Sequence, residues 1–224
     1  MRWDLLLPDL KEMFRLLSEH PAMFLDNWWA TFSVSIVGSA FAIVLAILFS
    51  ILALKIKFVD LLMQPIVAIS QSFPLQAITP LIIIVMGVGF MTKSFVAFLI
   101  AFFPIYGACI TAIKTTPNNL ISFSKIYQAR FFKEVYYVRI PYALPAIISS
   151  AKVGFTLAVL GAVVAEFMQP NIGLGRLILI AQSQYQIEVL YICIFLLMIQ
   201  GLVIYISLSK LEQFFINKGG FKNE

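Results

Sequence analysis

Residues 128–147 read QARFFKEVYYVRIPYALPAI, a run in which basic residues, aromatics and two prolines crowd between two long apolar stretches. The chain around it is 61% hydrophobic and only 12% charged, with a mean hydropathy of +0.95. An ordinary soluble domain carries about a quarter charged residues. Uncharged apolar runs of about 18 residues or more read as spanning helices, and several occur on either side of the quoted segment. The reading is an all-α integral membrane protein with one membrane domain, in which this segment joins two crossings.

Several function classes drop out on composition. Cys109 and Cys193 both fall inside apolar runs, where neither metal ligation nor an exported disulfide framework is expected. His20 is the single histidine, so no histidine metal site is expected. There is no Walker A loop, zinc motif or nucleophile constellation, so the chain is read as no enzyme and as needing no cofactor. The GLG at Gly173–Gly175 follows no strand and reads as a tight turn. The first thirty residues are studded with charges and hold no apolar core, so no cleavable signal is expected and the first span directs its own insertion.

Working outward, DLKEMFRLL (9–17) puts Leu10, Met13, Phe14 and Leu17 on one helical face. Asp9 is placed to cap it and Glu12 to complete a capping box. This is a short amphipathic helix for the membrane surface, and Trp28 and Trp29 follow where an interfacial belt would put them. The spans are predicted at Phe32–Leu54, Leu61–Phe90, Ser94–Ile113, Ala146–Phe167 and Ile187–Leu208. Small residues recur every fourth position at Gly38, Ala42, Ala46 and Ser50, and again at Gly154, Ala158 and Ala162. Both rows read as ridges for close helix packing. Lys152 lies near the end of the fourth span and is read as snorkelling to the interface.

The second span is broken by Pro65, Pro74 and Pro80 and punctuated by Gln64, Gln71, Ser72, Gln76 and Thr79. Breaks in lipid survive where protein or a water-filled cavity satisfies the freed backbone groups. The polar residues either line a pathway or make interhelical hydrogen bonds. Glu166, at the outer end of the fourth span, either faces a cavity or contacts a partner. The organisation expected is an interfacial segment at 1–30, a membrane domain at 31–209 with a cytoplasmic loop at 114–145, and a basic tail at 210–224.

Charge gives the orientation. With an outside N-terminus and five crossings, Lys55, Lys57, Lys114, Lys125, Arg130, Lys133, Arg139, Lys210, Lys218 and Lys222 share one side. Arg2, Lys11, Arg15, Lys93 and Arg176 share the other. The excess assigns the first set to the cytoplasm, which accounts for the formal charge of +5 without a nucleic-acid partner. The loop at 114–145 is then cytoplasmic, with Asn118 or Asn119 as a helix cap. As an amphipathic basic stretch it either rests on the membrane surface or docks into a groove on a partner.

Taken with its surroundings, the quoted run resembles the cytoplasmic signature of permease subunits of binding-protein-dependent ABC importers. The resemblance is strongest to the branch for nitrate, taurine, aliphatic sulfonates and thiamine-pyrimidine precursors. That signature begins Glu-Ala-Ala, has a Gly four positions after the second Ala, and ends in a hydrophobic-Pro pair, here Ile140 and Pro141 with ALPAI following. The equivalents of the earlier positions are Ser122, Phe123, Ser124 and Gln128, so the Glu-Ala-Ala start and the Gly are absent. SQSFPLQAITPLIIIVMGVGF (70–90), FLIAFFPI (98–105) and VVAEFMQPNIGLGRLI (163–178) resemble the branch's later core helices.

The resemblance implies the five-helix core of the type I ABC importer permease fold in a bacterial cytoplasmic (inner) membrane. Its implied partners are two ATP-hydrolysing subunits, a second permease copy or paralogue, an extracytoplasmic solute-binding protein, a small-molecule substrate and membrane lipid. The implied ATPase-coupling residues are Ser122, Ser124, Lys125, Gln128, Ala129, Arg130, Phe131, Phe132, Lys133, Glu134 and Pro141, with Pro141 and Pro145 fixing the turn back into the membrane. Gln71, Ser72, Gln76, Thr79 and Glu166 are the pathway candidates. The competing class is a channel or secondary transporter that works without an ATPase, for which internal inverted symmetry or a coupling-ion site would be the sign.

Overall fold

Asp9 opens the first helix as the sequence predicts. Its Oδ1 accepts the Lys11 N–H at 2.9 Å, and α1 runs Leu10–Glu19 behind it. The structure is a computed structural model that describes residues 8–169 and 171–219. Arg2, Pro170, Lys222 and the side chains of Gln71 and Lys218, all used above, lie outside the described residues. Glu12 pairs with Arg15 (3.4 Å), which also meets Glu19 (3.0 Å). Met13 is buried with Phe24, Leu174, Leu177, Ile192 and Cys193, so part of the apolar face of α1 packs on protein. Leu10 and Phe14 remain exposed.

Helix α2 (Pro21–Lys55) starts well before the expected Phe32. Proline is tolerated in a first turn because its missing N–H would have no helical partner there. Phe24, Asn27 and Thr31 then supply a buried face ahead of the apolar run. At about 1.5 Å per residue α2 is about 50 Å long, against a hydrocarbon core of about 30 Å.

The second span is two helices. α3 (Lys57–Ser72) continues through Pro65 and ends at Phe73, whose φ of −97° and ψ of 129° are extended. Pro74 imposes this, because its ring excludes the helical conformation from the residue before it. A short 3₁₀ turn (Leu75–Ile78) leads into α4 (Thr79–Met86), which carries Pro80 in its first turn. α5 (Phe90–Lys114) and α6 (Asn118–Ile126) follow.

Pro141 and Pro145 do not turn the chain, contrary to expectation. α7 (Phe131–Glu134), a π-helical turn at Val135–Arg139 and α8 (Ile140–Met168) form one unbroken helix. Pro141 has no N–H to donate, and its ring crowds the carbonyl of Tyr137 four residues back. Widening the preceding turn to the π geometry accommodates both. The helix that carries the fourth span therefore begins at Phe131, so the second half of the loop expected at 114–145 is helical. α9 (Leu174–Ser183) and α10 (Ile187–Gly219) complete the described chain.

Among the described residues, four helical runs are long and apolar enough to cross a membrane: Pro21–Lys55, Phe90–Lys114, Phe131–Met168 and Ile187–Phe215. The broken pair α3 and α4 makes a fifth if it counts as one crossing.

Contacts divide the chain into two units, and α2, α5, α8 and α10 each contribute one part to both. The first holds the described part of Met1–Gly38 with Leu75–Ile100 and Phe155–Val203. Its centre is Ala97 of α5. A methyl added at Gly38 would fall 2.6 Å from Ala97 Cβ and 2.9 Å from the Phe98 N, and one at Gly161 would fall 2.8 Å from Ala97 Cα. Two helices thus approach the same turn of α5 at backbone distance; Gly38 belongs to the small ridge read from the sequence, whereas Gly161 lies outside the row Gly154, Ala158 and Ala162. The second unit holds Ser39–Pro74, Ala101–Gly154 and the described part of Ile204–Glu224. There Ile105 lies over Gly154, Phe102 meets Phe49 edge-on with centroids 5.9 Å apart, and Lys114 binds Asp60 at 2.6 Å.

Candidate functional site

The segment from α6 to α7 belongs to the second unit. α6 begins behind Pro117, whose extended ψ of 139° places the chain for the first turn. The expected asparagine cap is absent, and Asn119 Oδ1 accepts the next N–H, that of Leu120, at 3.0 Å. The helix ends in a Schellman closure: Ala129 N donates to Ser124 O (3.1 Å) and Gln128 N to Lys125 O (2.9 Å). Gln128 sits at φ +52°, the left-handed position that this closure requires and that glycine occupies at least cost. This is the position at which the resembled signature has its Gly.

Arg139 anchors the base of the segment. Its Nε and Nη2 each lie 2.7 Å from Glu134 Oε1, and Nη1 lies 3.4 Å from the Ile113 carbonyl near the end of α5. Glu134 is buried by this pairing, and Ser124 is buried with its Oγ donating to Ile121 O. Ala129 and Phe131 are half-buried. Ser122, Lys125, Gln128, Arg130, Phe132, Lys133 and Pro141 are exposed. Beside them the Phe123 and Tyr127 rings meet at a tilt of 55° with centroids 5.0 Å apart, and Lys55 Nζ stands 4.7 Å over the Phe132 ring. Tyr127 is 72% exposed and Ile126 77%. The surface is a continuous aromatic and basic patch on a helix that ends in a fixed bend.

The pathway candidates are placed differently from one another. Ser72 is exposed at the end of α3, its Oγ 3.4 Å from Ala68 O. Gln76 is half-buried in the 3₁₀ turn. Thr79 is fully buried at the start of α4, and its Oγ1 has no hydrogen-bond partner among the described residues.

Glu166 is only 1% exposed and belongs to a loop-holding network of the first unit. Thr31 Oγ1 donates to its two carboxylate oxygens (2.9 and 3.0 Å), and Gly175 N donates to Oε2 (2.8 Å). Leu174 N donates to Thr31 Oγ1 (2.8 Å) and Gly173 N to Asn27 Oδ1 (2.8 Å). Lys93, 3% exposed, donates to Ile172 O (2.6 Å). Three consecutive N–H groups at the head of α9 are thus held by α2 and α8, and a carboxylate at a helix N-terminus also suits the helix dipole. Gly173, at φ +140°, leaves the room: a Cβ there would stand 2.1 Å from Glu166 Cδ. Gln169 Oε1 accepts Gly89 N (3.0 Å) and ties the α4–α5 turn to the same end. Asn27, Thr31 and Lys93 were not among the sequence candidates. The available signal was the polar row Asn27, Thr31, Ser35 at every fourth residue of an apolar helix.

Residues 38–216 match the family profile described as "Binding-protein-dependent transport system inner membrane component". The riboflavin transport system permease protein RibX of Chloroflexus aurantiacus is 34% identical over 161 residues, which cover 72% of this chain and 60% of that protein. The formylaminopyrimidine transport permease protein ThiX of Halalkalibacterium halodurans is 27% identical over 208 residues, covering 92% of this chain and 83% of that protein. The match to RibX therefore spans less than two thirds of RibX. Among solved structures, a chain of the MetNI methionine ABC transporter in an inward-facing conformation has a TM-score of 0.74 at 20% identity, covering 88% of this chain and 98% of that one. That likeness is one of fold.

Proposed function

We propose, given that this chain belongs to the family of binding-protein-dependent transport system inner membrane components, that it is the membrane-spanning permease subunit of an ATP-driven importer. Its cargo is a small polar solute of the vitamin, vitamin-precursor or sulfonate kind, handed over by a solute-binding protein outside and released inside the cytoplasmic membrane. ATP hydrolysis belongs to separate subunits, and the permease acts as a pair.

The observation that carries this reading is the closed bend at Gln128. The resembled signature uses a glycine there to shape a helix that seats in the ATPase. Here the same left-handed φ and the two Schellman bonds are kept without the glycine. The exposed Ser122, Lys125, Gln128, Arg130, Phe132, Lys133 and Pro141 form the docking face with Phe123 and Tyr127. Ser124, Ala129, Phe131 and Glu134 frame it from within. Apolar side chains on an exposed helix fill a partner's groove, and the basic residues orient it. Because α7, the π turn and α8 are one continuous helix, a push on the α7 end of the docking face is passed along that helix into the membrane domain.

Ser72 and Gln76, at the break in the second span, line the pathway together with Thr79. Glu166 holds the outer loop. The charge asymmetry places the N-terminus outside and the C-terminus in the cytoplasm.

Co-purification from native membranes in mild detergent, read by mass spectrometry, tests the assignment. Two ATPase subunits for each pair of permeases are expected. Recovery of this chain without any ATPase, repeated after cross-linking, would overturn it in favour of an ATPase-independent transporter.

A further inference from the structure

We infer that a groove between α1 and α10 is a specific site for one acyl chain of a membrane phospholipid, with the lipid phosphate near Lys11. The groove lies within the first unit, encloses about 260 Å³, and is lined only by apolar side chains, among them Phe14 and Leu17 of α1 and Ile192, Phe195 and Ile199 of α10. α1 reaches it because Met13 is locked into the neighbouring core, which leaves the Leu10–Phe14 edge of the helix standing off α10.

Three observations select the occupant. The lining is made of Leu, Ile, Phe and Met, whereas a second transmembrane helix packs closely where small residues let backbones approach. A flexible hydrocarbon chain conforms to such a lining and a helix does not. The span from Ile192 to Ile199 is about 10 Å of helix, which lies within the roughly 15 Å of one leaflet's hydrocarbon. A chain entering from the headgroup level therefore ends inside its own leaflet.

Charge completes the match. On α1, Asp9 caps the helix N-terminus and Glu12 and Glu19 share Arg15. Lys11 is left exposed and outside any ion pair among the described residues, one helical turn from Phe14 on the rim of the groove. A lysine there meets a lipid phosphate at the level where an interfacial helix lies. The bound lipid would then hold α1 against α10 as a wedge.

Native mass spectrometry of the full chain, released from mild detergent in the presence of a defined phosphatidylglycerol, tests the site. The wild-type chain is expected to retain one phospholipid per protomer through a delipidation series. Leu17→Trp and Ile199→Trp, whose indoles occupy the groove in place of the acyl chain, should weaken retention by about tenfold or more. Lys11→Gln should weaken it less. Met198→Trp, exposed on α10 outside the lining, should leave it unchanged.

Photolabelling with a phospholipid carrying a diazirine on its acyl chain supplies a readout independent of variant folding. Label should concentrate on the residues of α1 and α10 that line the groove. Equal retention in all variants, or label spread evenly over the exposed apolar positions of α10, would overturn the site. A lipid-free dimer that only the groove variants dissociate would overturn it in favour of a second copy of this chain.

Discussion

At the scale of single residues, Gln128 and Glu166 carry the account. A non-glycine residue in the left-handed region costs roughly 1–2 kcal/mol, offset in part because glycine is freer in the unfolded chain. Gln128→Gly should therefore tighten the bend by about 0.5–1 kcal/mol, and the β-branched Gln128→Val should loosen it by at least as much. Hydrogen exchange of the Gln128 and Ala129 amides checks this, with protection ranked Gly above Gln above Val; a reversed order would contradict the Schellman assignment. Glu166→Leu removes the acceptor that serves the Gly175 amide, at about 1–3 kcal/mol, so exchange at Gly175 should quicken by about fivefold or more. Gly173→Ala should be more damaging still, since its Cβ would collide with the Glu166 carboxyl. The position of Gln128 was legible in the sequence by counting back from Ile140 and Pro141. The partners of Glu166 were not, because Thr31 lies 135 positions away and no local pattern reports a contact of that range.

At the scale of elements, proline had two opposite outcomes. Pro74 broke the second span as the sequence suggested, while Pro141 and Pro145 were absorbed into a continuous helix. A proline signals a lost hydrogen bond, but whether the helix ends or widens depends on what the surroundings can satisfy, which the local sequence does not contain. The apolar spans were legible because their length and composition are imposed by the bilayer. The early start of α2 was missed because its first turns are buried by protein, through Phe24, Asn27 and Thr31. Lys152 gains a partner that the sequence reading did not name: it binds Glu212 of α10 at 2.5 Å and stands 5.3 Å from the Tyr205 ring. Removing one partner of this half-buried pair leaves the other charge without its charged hydrogen bond. Lys152→Met should thus lower stability by about 1–3 kcal/mol, and adding Glu212→Gln should restore part of it. Thermal unfolding of the purified variants in detergent gives the comparison; losses that simply add would show that the pair is not coupled.

At the scale of the whole molecule, the chain is a multi-pass membrane protein of the importer family, and its proposed work is to convert contact on a cytoplasmic face into a change of access. Composition fixed the class and the resemblance supplied the partners. What the sequence could not show was how much of the degenerate signature still forms a docking face, since exposure depends on which side chains Arg139 and the Schellman closure draw inward. That face is the central claim, and a photo-activatable phenylalanine analogue at Tyr127, compared with one at the membrane-exposed Met198, tests it most directly in native membranes. The account predicts a nucleotide-binding-subunit adduct at Tyr127 and none at Met198. An adduct to lipid alone at Tyr127 would contradict it and return the segment to the membrane surface.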